Sequence, residues 1–94
     1  MSAQITYFYA SVTGNLETKK QQQRIECVLG PKEGVELVKV DITASEADKK
    51  KMRELAGDDG ALPPQLAKGD VYLGDFKAFD DACENETLDE FLKL

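Results

Sequence analysis

The chain predicts an α/β fold: a mixed four-stranded sheet in strand order 2-1-3-4, with helices on both faces. Three observations carry this expectation. The 94 residues, 41% hydrophobic and 32% charged, leave room for one domain, residues 1–94, with a modest core. Apolar runs and breakers read in the order β-α-β-α-β-β-α-α. The first two strands are separated by a helix-length segment and the last two by a short turn. The first pair is therefore parallel through a right-handed crossover, and the second is an antiparallel hairpin.

Each element has its own signature. Gln4 to Ala10 is rich in β-branched and aromatic residues and apolar toward both faces, which suits a central strand covered on both sides. The turn-prone run Ser11-Val12-Thr13-Gly14-Asn15 follows. Leu16 to Leu29 then contains no Gly or Pro until Gly30-Pro31, and reads as a helix whose polar first half sits at an exposed rim. Val35 to Ile42 is the second strand. Thr43 and Glu46 have the T-x-x-E spacing of a capping box opening a second helix, with Ala47, Met52, Leu55 and Ala56 inward and Gly57 at its end. Gln65-Leu66-Ala67 and Val71-Tyr72-Leu73 flank Lys68-Gly69-Asp70 as a hairpin. Asp75 caps a turn carrying Phe76, Phe79, Ala82 and Cys83, and Thr87 with Glu90 forms a second T-x-x-E box.

The composition excludes several kinds of chemistry. Histidine is absent, so this chain cannot by itself build a His-based triad, general base or metal ligand. Cys27 and Cys83 are far apart and form no CxxC, which argues against a zinc site and for two reduced, buried or half-buried thiols. The start MSAQITYFYA has no basic leader, and no stretch is long enough to cross a membrane. The expected compartment is the cytoplasm, with the nucleus as an alternative, and the expected state is a monomer. Residues 75–94 carry seven acids against Lys77 and Lys93, so most of the net charge of −6 lies at that end. With no basic, aromatic-rich surface to offset it, nucleic-acid binding is not expected. Lys49-Lys50-Lys51 reads as the wet face of a helix.

The element order is the thioredoxin-like, and more narrowly glutaredoxin-like, layout. Chemistry in that layout lives where strand one meets helix one, because free helix amides and the dipole stabilise a thiolate there. Against a pattern in which an aromatic strand end precedes C-P-Y-C, Thr13 falls at the nucleophilic cysteine and Leu16 at the resolving one. Neither carries sulfur, so disulfide exchange at this position is excluded and the chain is not expected to be an enzyme. Ser11 to Asn15 reads either as a helix-capping loop or as a loop whose spare amides bind an anion or a partner's carboxylate. Pro64, just before strand three, is the expected cis-proline facing that loop. Pro63-Pro64 is a weak SH3 ligand, because no complete P-x-x-P is present.

These pieces together resemble the SH3-domain-binding glutamic-acid-rich-like proteins over nearly the whole chain, most closely the short members. The resemblance rests on Ser11-Val12-Thr13-Gly14, Lys19 to Gln23, Val40-Asp41-Ile42, Met52-Arg53 through Ala56-Gly57, Pro63-Pro64-Gln65, Tyr72 with Gly74-Asp75, and Glu90 to Leu94. It implies a glutaredoxin-like fold without redox cysteines. It also implies roles in modulating glutaredoxin activity, in cytoskeletal organisation and in binding signalling partners. A lysine that holds a glutathione carboxylate in active glutaredoxins would fall at Ala10, and their G-G-x-D-D motif reads Gly74-Asp75-Phe76-Lys77-Ala78. The threonine expected two positions before the cis-proline is Leu62.

The expected function is therefore a non-catalytic protein-interaction module with no cofactor and at most weak glutathione binding. Its contact residues are Thr13, Gly14, Asn15, Pro63, Pro64, Gln65, Gly74 and Asp75, and no metal ligands are expected. Its expected partners are proteins: glutaredoxin targets, cytoskeletal proteins or SH3-containing signalling proteins. The acidic C-terminal helices offer a second surface to a basic partner. Two alternatives stand beside this reading: a glutathione-dependent oxidoreductase or transferase using Cys27 or Cys83, and an SH3-ligand adaptor through Pro63-Pro64.

Overall fold

Strand β1 (Ala3–Tyr9) lies between β2 and β3, and it buries side chains on both of its faces. Residues 2–94 are described by a computed structural model. In it Ile5 and Tyr7 are fully buried against one helical layer and Phe8 is buried against the other. The sheet order is β2-β1-β3-β4, as expected. β2 (Val35–Asp41) runs parallel to β1 with Tyr9 opposite Asp41. β3 (Gln65–Lys68) is antiparallel to β1 with Phe8 opposite Gln65, and β4 (Val71–Asp75) places Asp75 opposite Gln65. This register brings the ends of β1, β2 and β4 and the start of β3 to one edge of the sheet.

Helices α1 (Leu16–Leu29), α3 (Phe76–Glu84) and α4 (Leu88–Phe91) lie on the Ile5–Tyr7 face, to which they and the residue after α4 bring Ile25, Leu29, Phe79 and Leu92. Helix α2 (Glu46–Ala56) covers the other face with Met52 packed among Phe8, Ile42, Ala61 and Ala67. Fully burying a side chain of this size contributes about 1.5–3 kcal/mol relative to leaving it in water. Gly74 has φ 154° and sits where a Cβ would come within 2.8 Å of the Ala78 Cβ and 3.0 Å of the Phe91 ring. The absent side chain lets β4 pass under α3 and α4.

The helix ends show which capping signals operate. Asn15 Oδ1 accepts from the Thr18 N–H at 3.1 Å, and Asp75 Oδ1 accepts from the Ala78 N–H at 3.0 Å. Gly57, in the left-handed region, closes α2 as expected. Neither T-x-x-E box forms. Helix α2 starts at Glu46 under Ser45, whose hydroxyl accepts from the Asp48 N–H at 3.3 Å. Thr43 is drawn away instead, because its N–H and hydroxyl donate to Asp41 Oδ1 at 3.0 and 2.6 Å. Thr87 precedes α4 without a side-chain capping bond.

The end of β1 is tied to α1 by a buried amide. The Gln22 side chain accepts from the Ala10 N–H at 2.8 Å and donates to the Ala10 carbonyl at 3.1 Å, so it pairs with both main-chain groups of one residue. One turn further along the helix, the Tyr7 hydroxyl donates to Glu26 Oε2 at 3.1 Å, and Lys39 holds Glu26 Oε1 at 3.0 Å. Burial first, then the Glu26 carboxylate, pushes the Tyr7 phenol far above its ordinary value, so it stays a donor. Gln22→Leu leaves two buried main-chain groups unpaired and is expected to cost about 1–3 kcal/mol. At this chain length that lowers Tm by about 4–8 °C per kcal/mol. Gln23→Leu, on the exposed side of the same helix, is expected to stay within about 0.5 kcal/mol of the parent; thermal unfolding of both variants checks the pair.

Candidate functional site: a groove at the sheet edge

The loop between β1 and α1 is fixed at both ends. Ala10 is held by Gln22, and Ser11 donates its N–H to Asp41 Oδ1 at 3.2 Å and its hydroxyl to Asp41 Oδ2. Hydrogen bonds from the hydroxyls of Ser11 and then Thr43 hold the Asp41 carboxyl well below the usual carboxylate range. Within the loop, Thr13 Oγ1 accepts from the Asn15 N–H at 3.1 Å. The Thr13 hydroxyl is thus engaged in capping its own loop.

Beside this loop runs a groove of about 500 Å³. Asn15, the cap of α1, and Glu17, Thr18 and Gln21 of α1 line it on one side, Asp58 and Gly60 to Pro64 from the loop before β3 on another, and Gln65 and Tyr72 from the hairpin. Asp75, Phe76 and Lys77 close it at the start of α3. The Pro63–Pro64 peptide is cis, and Pro64 and Gln65 are buried. Gln65 donates to the Leu62 carbonyl at 2.7 Å and accepts from the Tyr72 hydroxyl at 2.5 Å, joining the loop to β4. Burial first, then the Asp75 and Asp58 carboxylates, raise the Tyr72 pKa.

Of the residues expected to form a contact surface, Asn15, Pro63, Pro64, Gln65 and Asp75 line this groove. Three do not. Thr13 lines a separate depression of about 180 Å³ with Lys19, Gln22 and Glu26. Gly14 is exposed with open space around its Cα, and Gly74 is buried beneath α3 and α4. Glu17, Thr18, Gln21, Asp58 and Tyr72 were not among the expected contacts. Glu17, Thr18 and Gln21 share one helix face at i, i+1 and i+4, a spacing visible in the sequence. Asp58 joins the groove only through the course of its loop, for which the sequence has no periodic signal.

The same end of the molecule exposes apolar side chains: Val12 at 78%, Leu16 at 64% and Leu62 at 69%. The cysteines lie elsewhere. Cys27, expected to be at least half-buried, is exposed on α1, because it follows the polar side of a helix whose inward positions are Gln22, Ile25 and Leu29. Cys83 on α3 is half-buried, and burial pushes its thiol pKa up. Neither lines the groove.

Fold and groove define a glutaredoxin-like domain whose active-site junction carries no sulfur. The chain belongs to the family described as "SH3-binding, glutamic acid-rich protein", whose profile matches residues 3–94. It is 38% identical over 99 residues to a Drosophila melanogaster SH3 domain-binding glutamic acid-rich protein homolog, covering 93% of this chain and 62% of that relative. The chain thus spans less than two thirds of the relative's length. Among solved structures it resembles the C. albicans actin interacting protein Aip5, with TM-score 0.76 and 23% identity over 96% of this chain and 88% of that one. It also resembles the holo form of glutaredoxin C1 from Populus tremula x tremuloides, with TM-score 0.63 and 14% identity over 97% and 84% of the two chains. No helix among the described residues is long and apolar enough to cross a membrane.

The groove residues do not fit glutathione, the ligand that the glutaredoxin fold implies. Glutathione is a net anion, whereas Glu17, Asp58 and Asp75 line the groove. Lys77, the one cation among the described lining residues, pairs with Asp81 at 3.1 Å. Pro63, before the cis-proline, has no N–H with which to hold an extended ligand's carbonyl.

Folding lowers the Asp41 pKa, so the clasp it makes with Ser11 and Thr43 stabilises the fold fully above the ordinary carboxylate value of about 3.9. That contribution is lost as the pH falls toward the lower folded value. Asp41→Asn is therefore expected to be less stable than the parent at neutral pH in urea unfolding, with the gap closing as the pH drops below about 3.9. An unchanged gap at acid pH would show that ionisation of Asp41 does not support the loop.

Proposed function

We propose that this domain is a non-catalytic protein-interaction module that receives a partner segment along the groove between α1, the Pro63–Pro64 loop and the start of α3. One observation carries the reading: the groove at the sheet edge of this glutaredoxin-like fold has no thiol on its wall, since Cys27 and Cys83 lie outside it. Exposed Val12, Leu16 and Leu62 at the same end supply the apolar area that a protein partner covers. The likeness to an actin-interacting protein supports a cytoskeletal partner within this reading, and the family's description supports a signalling one. The action through partners includes modulation of glutaredoxin activity, and its setting is the cytoplasm.

The use of Cys27 or Cys83 as a nonstandard nucleophile is not favoured. A reactive thiol needs a lowered pKa next to positive charge or a helix N-terminus, and burial moves Cys83 the other way. Cys27 stands about three turns into α1. The SH3-ligand reading is not favoured either, because Pro64 is buried and Gln65 begins a strand. A glutathione-coupled disulfide-reduction assay tests the reading. Turnover is expected to equal that of glutathione alone. Turnover above that level which disappears in Cys27→Ser or Cys83→Ser would overturn the non-catalytic assignment.

A further inference from the structure

We infer that the groove selects a cationic partner segment, an extended stretch of chain that presents an arginine or lysine side chain between Glu17 and Asp58. This deepens the reading of the groove as a partner-binding surface and rests on it. The first argument is charge. Three carboxylates line the groove, and the single ammonium among them is turned to Asp81 outside it. Burial first, then the Asp75 and Asp58 carboxylates that flank it, disfavour ionisation of the Tyr72 phenol, which already donates to Gln65.

The second argument is the balance of donors and acceptors. Pro63 and Pro64, which bring the loop into β3, carry no N–H, and the carboxylates of Glu17, Asp58 and Asp75 offer only acceptors, while the donors of the lining are the neutral side chains of Asn15, Thr18 and Gln21 and the Lys77 ammonium. With three carboxylates against one ammonium among the described lining residues, such a surface disfavours an anionic ligand. It matches a guanidinium, which has five N–H donors and no acceptor. The groove volume of about 500 Å³ and its open course suit an extended segment. Leu62 and Phe76 line the groove alongside the carboxylates and can cover the aliphatic stem of the incoming side chain.

The test is a backbone-amide NMR titration of the full 94-residue chain with acetylated, amidated pentapeptides. One is Gly-Arg-Val-Arg-Gly; the others replace both arginines by glutamine or by glutamate, and reduced glutathione serves as a fourth probe. Shifts at Thr18, Gln21, Gly60 and Tyr72 are expected with the arginine peptide. Its affinity is expected to exceed that of the glutamine peptide about three- to tenfold at low salt, the range of one or two solvent-exposed ion pairs. The advantage should shrink at about 0.5 M salt, where charges more than a few ångström apart are screened.

The double variant Glu17→Gln, Asp58→Asn keeps side-chain shape, and Asn at position 58 can still accept from the Gly60 N–H as Asp58 does at 2.9 Å. It is expected to bind the arginine peptide about as weakly as the glutamine one, with an unchanged Tm. Equal affinity of the arginine and glutamine peptides at these residues overturns the charge preference and leaves the groove as a peptide site. Tighter binding of glutathione or the glutamate peptide also overturns it. Absence of groove shifts with every peptide overturns both this inference and the reading of the groove as the partner surface.

Discussion

The pairing of Gln22 with both main-chain groups of Ala10 is the constraint on which the functional end of this molecule depends. A strand that ends inside a domain leaves an N–H and a carbonyl without ladder partners, and leaving them buried and unpaired costs more than the bonds return. Gln22 meets that demand from α1, so the strand end and the helix are fixed to one another before the loop between them is considered. Asp41 then fixes the next residue from β2. With two successive residues held from two elements, the remaining loop is short, and Asn15 caps the helix at a defined place beside the Pro63–Pro64 turn. The groove follows from this geometry and from the register that puts Phe8, Gln65 and Asp75 in one row.

A glutaredoxin uses such a junction to lower a thiol pKa. Here the same architecture holds a threonine whose hydroxyl accepts from its own loop, and a leucine that stands exposed at the start of the helix. Three carboxylates and one ammonium line the groove, and Pro63 offers no N–H to an extended ligand. These changes have one direction. They leave a cleft lined by more carboxylates than cations and flanked by exposed apolar side chains.

Much of this was legible in the sequence, for identifiable reasons. The central strand carries large apolar residues toward both faces, so its position in the sheet could be read from that run and from the helix-length and short-turn connections, and helix α1 was bounded by the Gly and Pro that follow it. The cis Pro63–Pro64 peptide follows from the thioredoxin-like layout, and the Asp75 cap from its own side chain. The two T-x-x-E boxes misled because a box competes with other bonds: Thr43 goes to the Asp41 carboxylate, and a four-residue helix at Thr87 gives little for a cap to secure. Gly74 looked like a remnant of a ligand-binding motif and is instead a packing glycine beneath Ala78 and Phe91, a contact between distant segments that no local pattern reveals. The exposure of Cys27 was in principle readable from its phase relative to Ile25 and Leu29. The acidity of the groove was not, since Glu17, Asp58 and Asp75 are brought together only by the fold.

The C-terminal helices carry a second set of acids, Asp80, Asp81 and Glu84 among them, so a cationic segment could in principle be drawn to either end of the molecule. The two destinations differ in shape: one is a cleft with aromatic and proline walls, the other a solvated helical surface. Intermolecular nuclear Overhauser contacts between the side-chain methylenes of a bound arginine peptide and the protein separate them most directly. Contacts to the Tyr72 and Phe76 rings are the predicted result; contacts to α3 at Asp80 and Glu84 with none to Tyr72 would contradict the account.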